Sequence, residues 1–453
     1  MSPFNIVILA AGKGTRMHSE QAKVLHNLAG RPLLQHVLEC ATALKPEQIY
    51  VVYGHGGEAV PEAMRHFAAQ FVKQEPQFGT GHAVQQVMPQ LSDDGTTLVL
   101  YGDVPLIQQA TLQNMRQTND ALVLLTVSLE NPAGYGRIVR NSKGEVLRII
   151  EEKDATPQQL EIREVNTGIL LAPTKLLRGW LAKLRNNNAQ AEYYLTDIVG
   201  MAVQQGVAVH TVQPGHVWEV QGINSKLQLA VLERTWQQVE AASLLEQGVT
   251  LIDATRIDVR GKLVCGSDVE IDVGCIFSGD VSLGDGVHVG AYSMIKNSSI
   301  ASGTQIAPYS HIDGSEVGAD CQIGPYARLR PGSELHDHVH IGNFVEIKNS
   351  DIAAHSKANH LSYIGDSTVG SRVNIGAGTI TCNYDGANKH RTVIKDDVFV
   401  GSATQLVAPV TLGAGATIGA GSTITRDAPA DQLTVSRGKQ ITISGWKRPI
   451  KKK

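Results

Sequence analysis

Val317, Ile323, Leu329, Leu335, Ile341 and Ile347 return every six residues, and Val400, Leu406, Leu412, Ile418 and Ile424 repeat the pattern. Small residues fill the intervals, among them Gly318, Gly324, Gly342, Gly401, Gly413 and Gly419. A six-residue period fits neither a helix face nor a simple alternating strand. It fits a coil with three flat sides, each side giving one inward aliphatic residue and each corner turned by small residues. The pattern from Ile271 to Ile424 therefore predicts a parallel β-helix of about eight coils, ~40 Å tall. Five-residue steps at Ile312 to Val317, Ile347 to Ile352 and Ile364 to Val369 are slips in the repeat. The polar stretch Asn383–Arg391 must leave the prism, and excursions from a solenoid tend to carry function.

The rest of the chain reads differently. At 453 residues it is too long for one core. Its net charge of −3 gives no reason to expect nucleic acid or a membrane surface as partner. The five cysteines contain no C-x-x-C pair and read as reduced thiols of a cytoplasmic protein. The apolar residues 4–11 are too few to span a bilayer and lack a basic leader. Residues 1–226 alternate strand and helix patterns, which predicts an α/β domain with strands at Asn5–Leu9, Ile49–Tyr53 and Thr97–Tyr101. Ser225-Lys226-Leu227-Gln228 has capping-box spacing, and Gly248 suits a helix end. The expected division is thus 1–226, a linker helix over 227–247, and a β-helix domain over 248–453 ending in a basic tail. Pattern alone equally allows that helix to dock on the first domain.

Two motifs carry chemistry. Leu9-Ala10-Ala11-Gly12-Lys13-Gly14-Thr15-Arg16-Met17, with Lys23 beyond, follows a strand. Glycines let backbone N–H groups approach phosphates, and Arg16 and Lys23 add positive charge where a triphosphate needs it. Met17 stands where a dinucleotide fingerprint needs a third glycine, and no Walker A sequence follows. Tyr101-Gly102-Asp103 closes a predicted strand at its carboxyl end, where α/β sheets bind ligands and a carboxylate suits Mg²⁺.

The N-terminal string resembles the signature of sugar nucleotidyltransferases. Further strings extend the likeness over essentially the whole chain: Gly134-Tyr135-Gly136-Arg137, Glu164-Val165-Asn166-Thr167-Gly168, Glu192-Tyr193-Tyr194-Leu195-Thr196-Asp197, Arg328-Leu329-Arg330-Pro331-Gly332, Gly342-Asn343-Phe344-Val345-Glu346, Asn374-Ile375-Gly376-Ala377-Gly378-Thr379 and Thr381-Cys382-Asn383-Tyr384-Asp385-Gly386. Together they resemble the bifunctional bacterial enzymes that join an N-acetylglucosamine-1-phosphate uridyltransferase to a glucosamine-1-phosphate acetyltransferase. The resemblance implies a Rossmann-like nucleotidyltransferase domain, a linker helix and a left-handed parallel β-helix, assembled as a homotrimer with acetyl sites between subunits. Two positions depart from the family pattern: Ala22 replaces a proline and Ala191 a glycine.

For the first domain, the resemblance implies that UTP and N-acetylglucosamine-1-phosphate meet at Leu9, Ala10, Ala11, Gly12, Lys23, Gln74, Gly79, Thr80, Tyr101, Gly102, Asp103, Gly136, Glu151, Asn166 and Asn224. Gln74, Gly79 and Thr80 read uracil; Gly136, Glu151 and Asn166 hold the sugar. Asp103 and Asn224 ligate Mg²⁺, while Arg16 and Lys23 stabilise phosphoryl charge. For the second, it implies that His360 is the base that lets the amine of glucosamine-1-phosphate attack acetyl-CoA, with Glu346 orienting the imidazole. A histidine's ordinary pKa near ~6.5 suits that task. Arg330 and Lys348 grip the sugar phosphate, and Tyr363, Asn374, Asn383 and Tyr384 complete the pocket. Ala377, Ser402, Ala420 and Arg437 line the acetyl-CoA path, and the basic tail is a candidate for CoA phosphates. The alternatives are a single-activity nucleotidyltransferase using the β-helix only to oligomerise, and a non-catalytic sugar-nucleotide sensor.

Overall fold

The computed structural model describes residues 3–118, 121–449 and 451. They form two compact units, Met1–Trp236 and Gln237–Lys453. The first is built on a nine-stranded sheet. Its strands are β1 (Phe4–Ala10), β2 (Gln48–Tyr53), β3 (Gln70–Lys73), β4 (Thr96–Tyr101), β5 (Leu122–Ser128), β6 (Arg137–Arg140), β7 (Val146–Ile150), β8 (Glu164–Pro173) and β9 (Val209–Val212). The order is β9-β5-β8-β4-β1-β2-β3, with β6 paired to β8 and β7 to β6. β1 lies parallel to both β2 and β4, while β8 runs antiparallel between β4 and β5.

Every residue of β1 is buried, because helices cover both faces of the sheet. Ile6 and Ile8 point into one core with Leu34, Val37 and Leu38 of the helix Leu33–Ala43. Val7 and Leu9 point into the other with Trp180 and Ile198 of the helices Thr174–Leu181 and Asp197–Gln204. This period of two places the carboxyl ends of β1 and β4 side by side, with Leu9 opposite Tyr101.

The second unit is a parallel β-helix. One face is an eleven-stranded sheet from Thr250–Leu251 to Leu433–Thr434; the other two faces form one sixteen-stranded sheet. The stack therefore begins about one coil before Ile271 and holds eleven rungs rather than the expected eight, some 48 Å at ~4.8 Å per rung. Residues one coil apart are 17 or 18 positions apart, as in the bonds from Ser315 to Ser298 and from Ser267 to Asp285. All eleven aliphatic residues of the two runs are buried in a single core.

Each corner needs a residue in the left-handed region. One column of them is Tyr292, Tyr309, Tyr326, Phe344 and Leu361, with φ between 49° and 62°. Their half-exposed rings stack at 5.3, 5.0 and 5.3 Å from Tyr292 to Phe344, and that stacking offsets backbone strain. Corner hydroxyls satisfy carbonyls inside the prism: Ser356 Oγ donates to Gly370 O at 2.6 Å and Thr304 Oγ1 to Gly318 O at 2.8 Å. The step that contains Asn383–Arg391 is longer, with Ser371 and its partner Asp396 25 positions apart, and the register resumes beyond it.

The predicted helix spans Lys226–Glu246. Ser225 Oγ accepts from Gln228 N, but Gln228 Oε1 accepts from Asn224 N, so the reciprocal bond lies one residue earlier than in a capping box. Gly248, at φ 91°, ends it. Leu232 is buried with Met17 and Leu28 of the first unit, whereas Ala241 and Leu244 join the prism core. No helix among the described residues is long and apolar enough to cross a membrane. All five cysteines are free thiols, and burial pushes Cys40 up to about 12.

Candidate functional sites

In the first unit, the loops after β1, β3 and β4 enclose a cavity of about 420 Å³. Leu9, Ala10, Ala11, Gly12, Lys23, Gln74, Gly79, Thr80, Tyr101 and Asp103 line it, together with Lys13, Gln77 and Glu192. Gly14 has φ 59°, and a Cβ there would stand 2.8 Å from Lys23 Cβ. That glycine makes room for the lysine stem. The Lys23 ammonium donates to Asp103 Oδ2 and, at 3.0 Å, to Asn224 Oδ1. Gly102 is buried and fits against Leu34 and Val24. Arg16 is exposed on the turn Thr15–Met17, outside the cavity lining.

Gln74 is buried, and its Nε2 donates to Gly79 O at 3.0 Å. Gly79 adopts φ 101° and ψ 177°, and a Cβ would meet Glu192 Cβ and Tyr193 O at 2.9 Å. Beyond Tyr101 lies a second cluster. Asn166 N donates to Gly136 O at 2.8 Å, and Gly136 packs against Ile149 and the Glu151 carboxylate. Glu151 accepts from Thr196 Oγ1 at 2.9 Å, while burial and the carboxylates of Asp154 and Asp197 hold its pKa above the usual value. Burial, with Asp103 and Glu151 nearby, likewise raises the Tyr101 phenol.

In the second unit the candidate residues fall on one edge and the face beside it. His360 is exposed, and its Nδ1 lies 2.9 Å from Asn343 Oδ1. The amide oxygen accepts, so in the neutral ring the proton sits on Nδ1 and Nε2 carries the lone pair. Asn343 and His360 are ladder partners one coil apart. Up the same edge Gly378 N donates to His360 O, Ala403 N to Ala377 O, Gly421 N to Ser402 O, and Arg437 Nη1 to Ala420 O. Ala377, Ser402 and Ala420 thus follow His360 coil by coil.

On the adjoining face, Arg330 Nη1 donates to Glu346 Oε1 at 2.8 Å. Arg330 sits one coil below Lys348, its N–H bonded to Ile347 O. Tyr363 follows, its hydroxyl accepting from Asn383 Nδ2 at 3.3 Å. Asp366, buried, accepts from Asn349 and Asn383 and so pins the start of the polar excursion. Despite burial, those bonds and the nearby Lys348 and Lys389 hold its pKa below the usual value. Lys348 stands beside Lys389 on that excursion and lowers its pKa by hydrogen bonding and repulsion. Tyr384 is exposed and donates to Gly386 O, and Asn374 lies on the face with the eleven rungs.

Residues 6–164 match the MobA-like NTP transferase domain, 259–340 the GMPPB C-terminal domain, and 391–426 the bacterial transferase hexapeptide repeat. "Bifunctional protein GlmU" of Janthinobacterium sp. (strain Marseille) is 64% identical over 449 residues, covering 99% of both chains. The protein of the same name from Nitrosospira multiformis is 61% identical over 455 residues, covering 100% of this chain and 99% of its own. This chain belongs to the GlmU family.

One expectation needs correcting in this GlmU-family chain. Glu346 does not orient the His360 imidazole; its carboxylate is engaged by Arg330, with Arg328 at 3.9 Å. In a parallel stack the neighbour of a side chain is set by register, and Glu346 lies under Tyr363 while Asn343 lies under His360. Sequence reasoning also passed over Asp366, Lys389 and the cavity residues Lys13, Gln77 and Glu192. The coil period held the signal for Asn343, which precedes His360 by one coil. Nothing local announces Asp366, which is visible only through its two asparagine partners. Lys452 and Lys453 of the basic tail lie outside the described residues.

Proposed function

We propose that this chain acetylates glucosamine-1-phosphate with acetyl-CoA in the second unit and then, in the first, transfers UMP from UTP to N-acetylglucosamine-1-phosphate, releasing pyrophosphate. The observation that carries the reading is the coexistence, in one GlmU-family chain, of the Lys23–Asp103–Asn224 cavity and the His360 edge.

For uridyl transfer, the donor set fits Mg²⁺. A carboxylate and an amide oxygen converge on one point, and that point holds the ammonium of Lys23. Mg²⁺ keeps few protein ligands, so such a pair suits it. Asp103 and Asn224 would hold it, and there Mg²⁺ supplies positive charge to phosphate oxygens. The sugar phosphate oxygen bonds to the α-phosphorus as the bond to pyrophosphate breaks, so positioning and charge do the work. Gly12 leaves open backbone toward the phosphates, and Lys23 and Arg16 supply cations. Gln74, Gly79 and Thr80 present amide and backbone groups for uracil, and Gly136, Glu151 and Asn166 hold the sugar.

For acetyl transfer, His360 Nε2 takes the proton from the amine of glucosamine-1-phosphate as the nitrogen bonds to the acetyl carbon and the CoA thiolate leaves. Asn343 holds the ring. Arg330 and Lys348 receive the sugar phosphate, with Glu346 fixing the guanidinium. Tyr363, Asn374, Asn383 and Tyr384 surround the sugar and acetyl groups. Ala377, Ser402 and Ala420 leave a thin track along the edge for the pantetheine arm, ending at Arg437. We further propose a cytoplasmic homotrimer, in which flat prism faces pack side by side and acetyl sites form between subunits.

The test is to incubate the full chain with glucosamine-1-phosphate, acetyl-CoA, UTP and Mg²⁺, then identify products by mass. UDP-N-acetylglucosamine and pyrophosphate are expected. Nucleotide transfer to supplied N-acetylglucosamine-1-phosphate, without acetyl transfer, would instead establish the single-activity alternative.

A further inference from the structure

The Lys23 ammonium occupies the point that the proposed metal would need. Its ammonium bridges Asp103 Oδ2 and Asn224 Oδ1, with the Lys23 and Asp103 side chains only 11% and 17% exposed. The same side chain lines the cavity proposed for the triphosphate. The main chains that carry the two oxygens are tied down: Ile223 N donates to Asp103 O at 2.9 Å, and Asn224 N donates to Gln228 Oε1 at 2.8 Å. The lysine is the movable part, a compact charge on a four-carbon stem.

We infer that Lys23 is a tethered stand-in cation, which keeps the Asp103–Asn224 site closed to free divalent ions and yields it to a metal that arrives with a nucleotide. The inference rests on the reading of Asp103 and Asn224 as the metal ligands. An ammonium and a divalent ion cannot share two oxygens, because like charges at ~4 Å repel strongly in a shielded site. Without nucleotide, the displaced lysine has lost its carboxylate and gained nothing. With a triphosphate in the cavity, it moves from one anion to a denser one. Metal and nucleotide binding are therefore positively coupled, and each raises the affinity of the other by the same factor. Lys23 is the element that couples them.

The test is a Mn²⁺ titration of the full chain, followed by the paramagnetic resonance signal of free Mn²⁺, without nucleotide or sugar. Lys23→Met is expected to bind Mn²⁺ at least tenfold more tightly than wild type, and Lys23→Gln, which keeps a donor but no charge, to show the same gain. Adding Asp103→Asn to Lys23→Met should remove that gain. With UTP present and no sugar phosphate, Mn²⁺ affinity should rise more in wild type than in either Lys23 variant. Thermal unfolding followed by circular dichroism verifies that each variant is folded. Equal or weaker Mn²⁺ binding by both folded Lys23 variants, with Asp103→Asn still weakening Mn²⁺–UTP binding, overturns the inference but leaves the ligand reading standing. If Asp103→Asn changes nothing in either background, the ligand reading itself falls.

Discussion

Asn343→Ala isolates the role of the residue that holds the His360 ring. The bond from His360 Nδ1 to Asn343 Oδ1 is 2.9 Å long and joins residues on neighbouring coils. While the imidazole is neutral, such a bond contributes about 1 kcal/mol net; once the ring takes a proton it is worth about 1.5–3 kcal/mol. The difference, about 0.5–2 kcal/mol, exists only as the amine proton is transferred. It should therefore lower kcat for acetyl transfer by about 10-fold, since ~1.4 kcal/mol is a factor of ten. The KM values for acetyl-CoA and glucosamine-1-phosphate should change little. Thiol release measures acetyl transfer, and pyrophosphate release by the same preparation is an internal control that stays constant. Glu346→Gln provides the contrast. Its carboxylate fixes Arg330, so its loss should raise the KM for the sugar phosphate several-fold with kcat nearly intact. An Asn343→Ala enzyme within twofold of wild type, together with a tenfold loss of kcat in Glu346→Gln, would refute the assignment and return the orienting role to the carboxylate.

Three further outcomes follow from geometry. Gly79→Ala places a Cβ 2.9 Å from Tyr193 O in a backbone region that only glycine tolerates, so urea unfolding should show a loss of about 1–3 kcal/mol, with weakened UTP binding. Glu151→Gln removes a carboxylate whose folded pKa lies above its ordinary 4.5. Its raised pKa means the native state binds the extra proton, so wild-type stability falls as pH rises through the window above 4.5. The variant should gain stability at neutral pH, and denaturant titrations should show the gain vanish below about pH 4. Ala191 adopts φ 53°, a left-handed backbone that an L-alanine enters at a cost of ~1–2 kcal/mol. Ala191→Gly should relieve it, and after the entropy cost of glycine should stabilise the first unit by about 0.5–1 kcal/mol in thermal unfolding.

The prism was legible because its inward positions are buried one per side, so Val317 through Ile347 had to be aliphatic. Its first coil was not. Ile257–Cys265 pairs along its whole length with Cys275–Leu283 and bends at Gly261, yet it lies ahead of Ile271, where the six-residue run begins. In the first unit, the short apolar runs that became β1, β2 and β4 were readable to within a residue at either end, since both sheet faces are buried. The cavity strings were legible as strings. That Gly14 makes room for the lysine stem is a packing fact, set by a residue nine positions away. Glu346 misled because a carboxylate is a common partner for an imidazole base, whereas contact in a stack depends on register. Ala22 already has φ −54°, inside the proline range, so the family's backbone survives that departure without the ring.

The edge that carries Asn343, His360, Ala377, Ser402 and Ala420 also constrains how this gene can change. Coils of 17 and 18 residues both keep the stack aligned, so a one-codon change is absorbed at a corner, but inside a strand it would turn the inward residue outward. The excursion after Cys382 is the exception. It leaves and rejoins at the same corner, so insertions and deletions there are absorbed before the next rung at Thr392–Ile394. Length can change in that loop without shifting the rungs that follow, provided Asn383 keeps its bond to the buried Asp366.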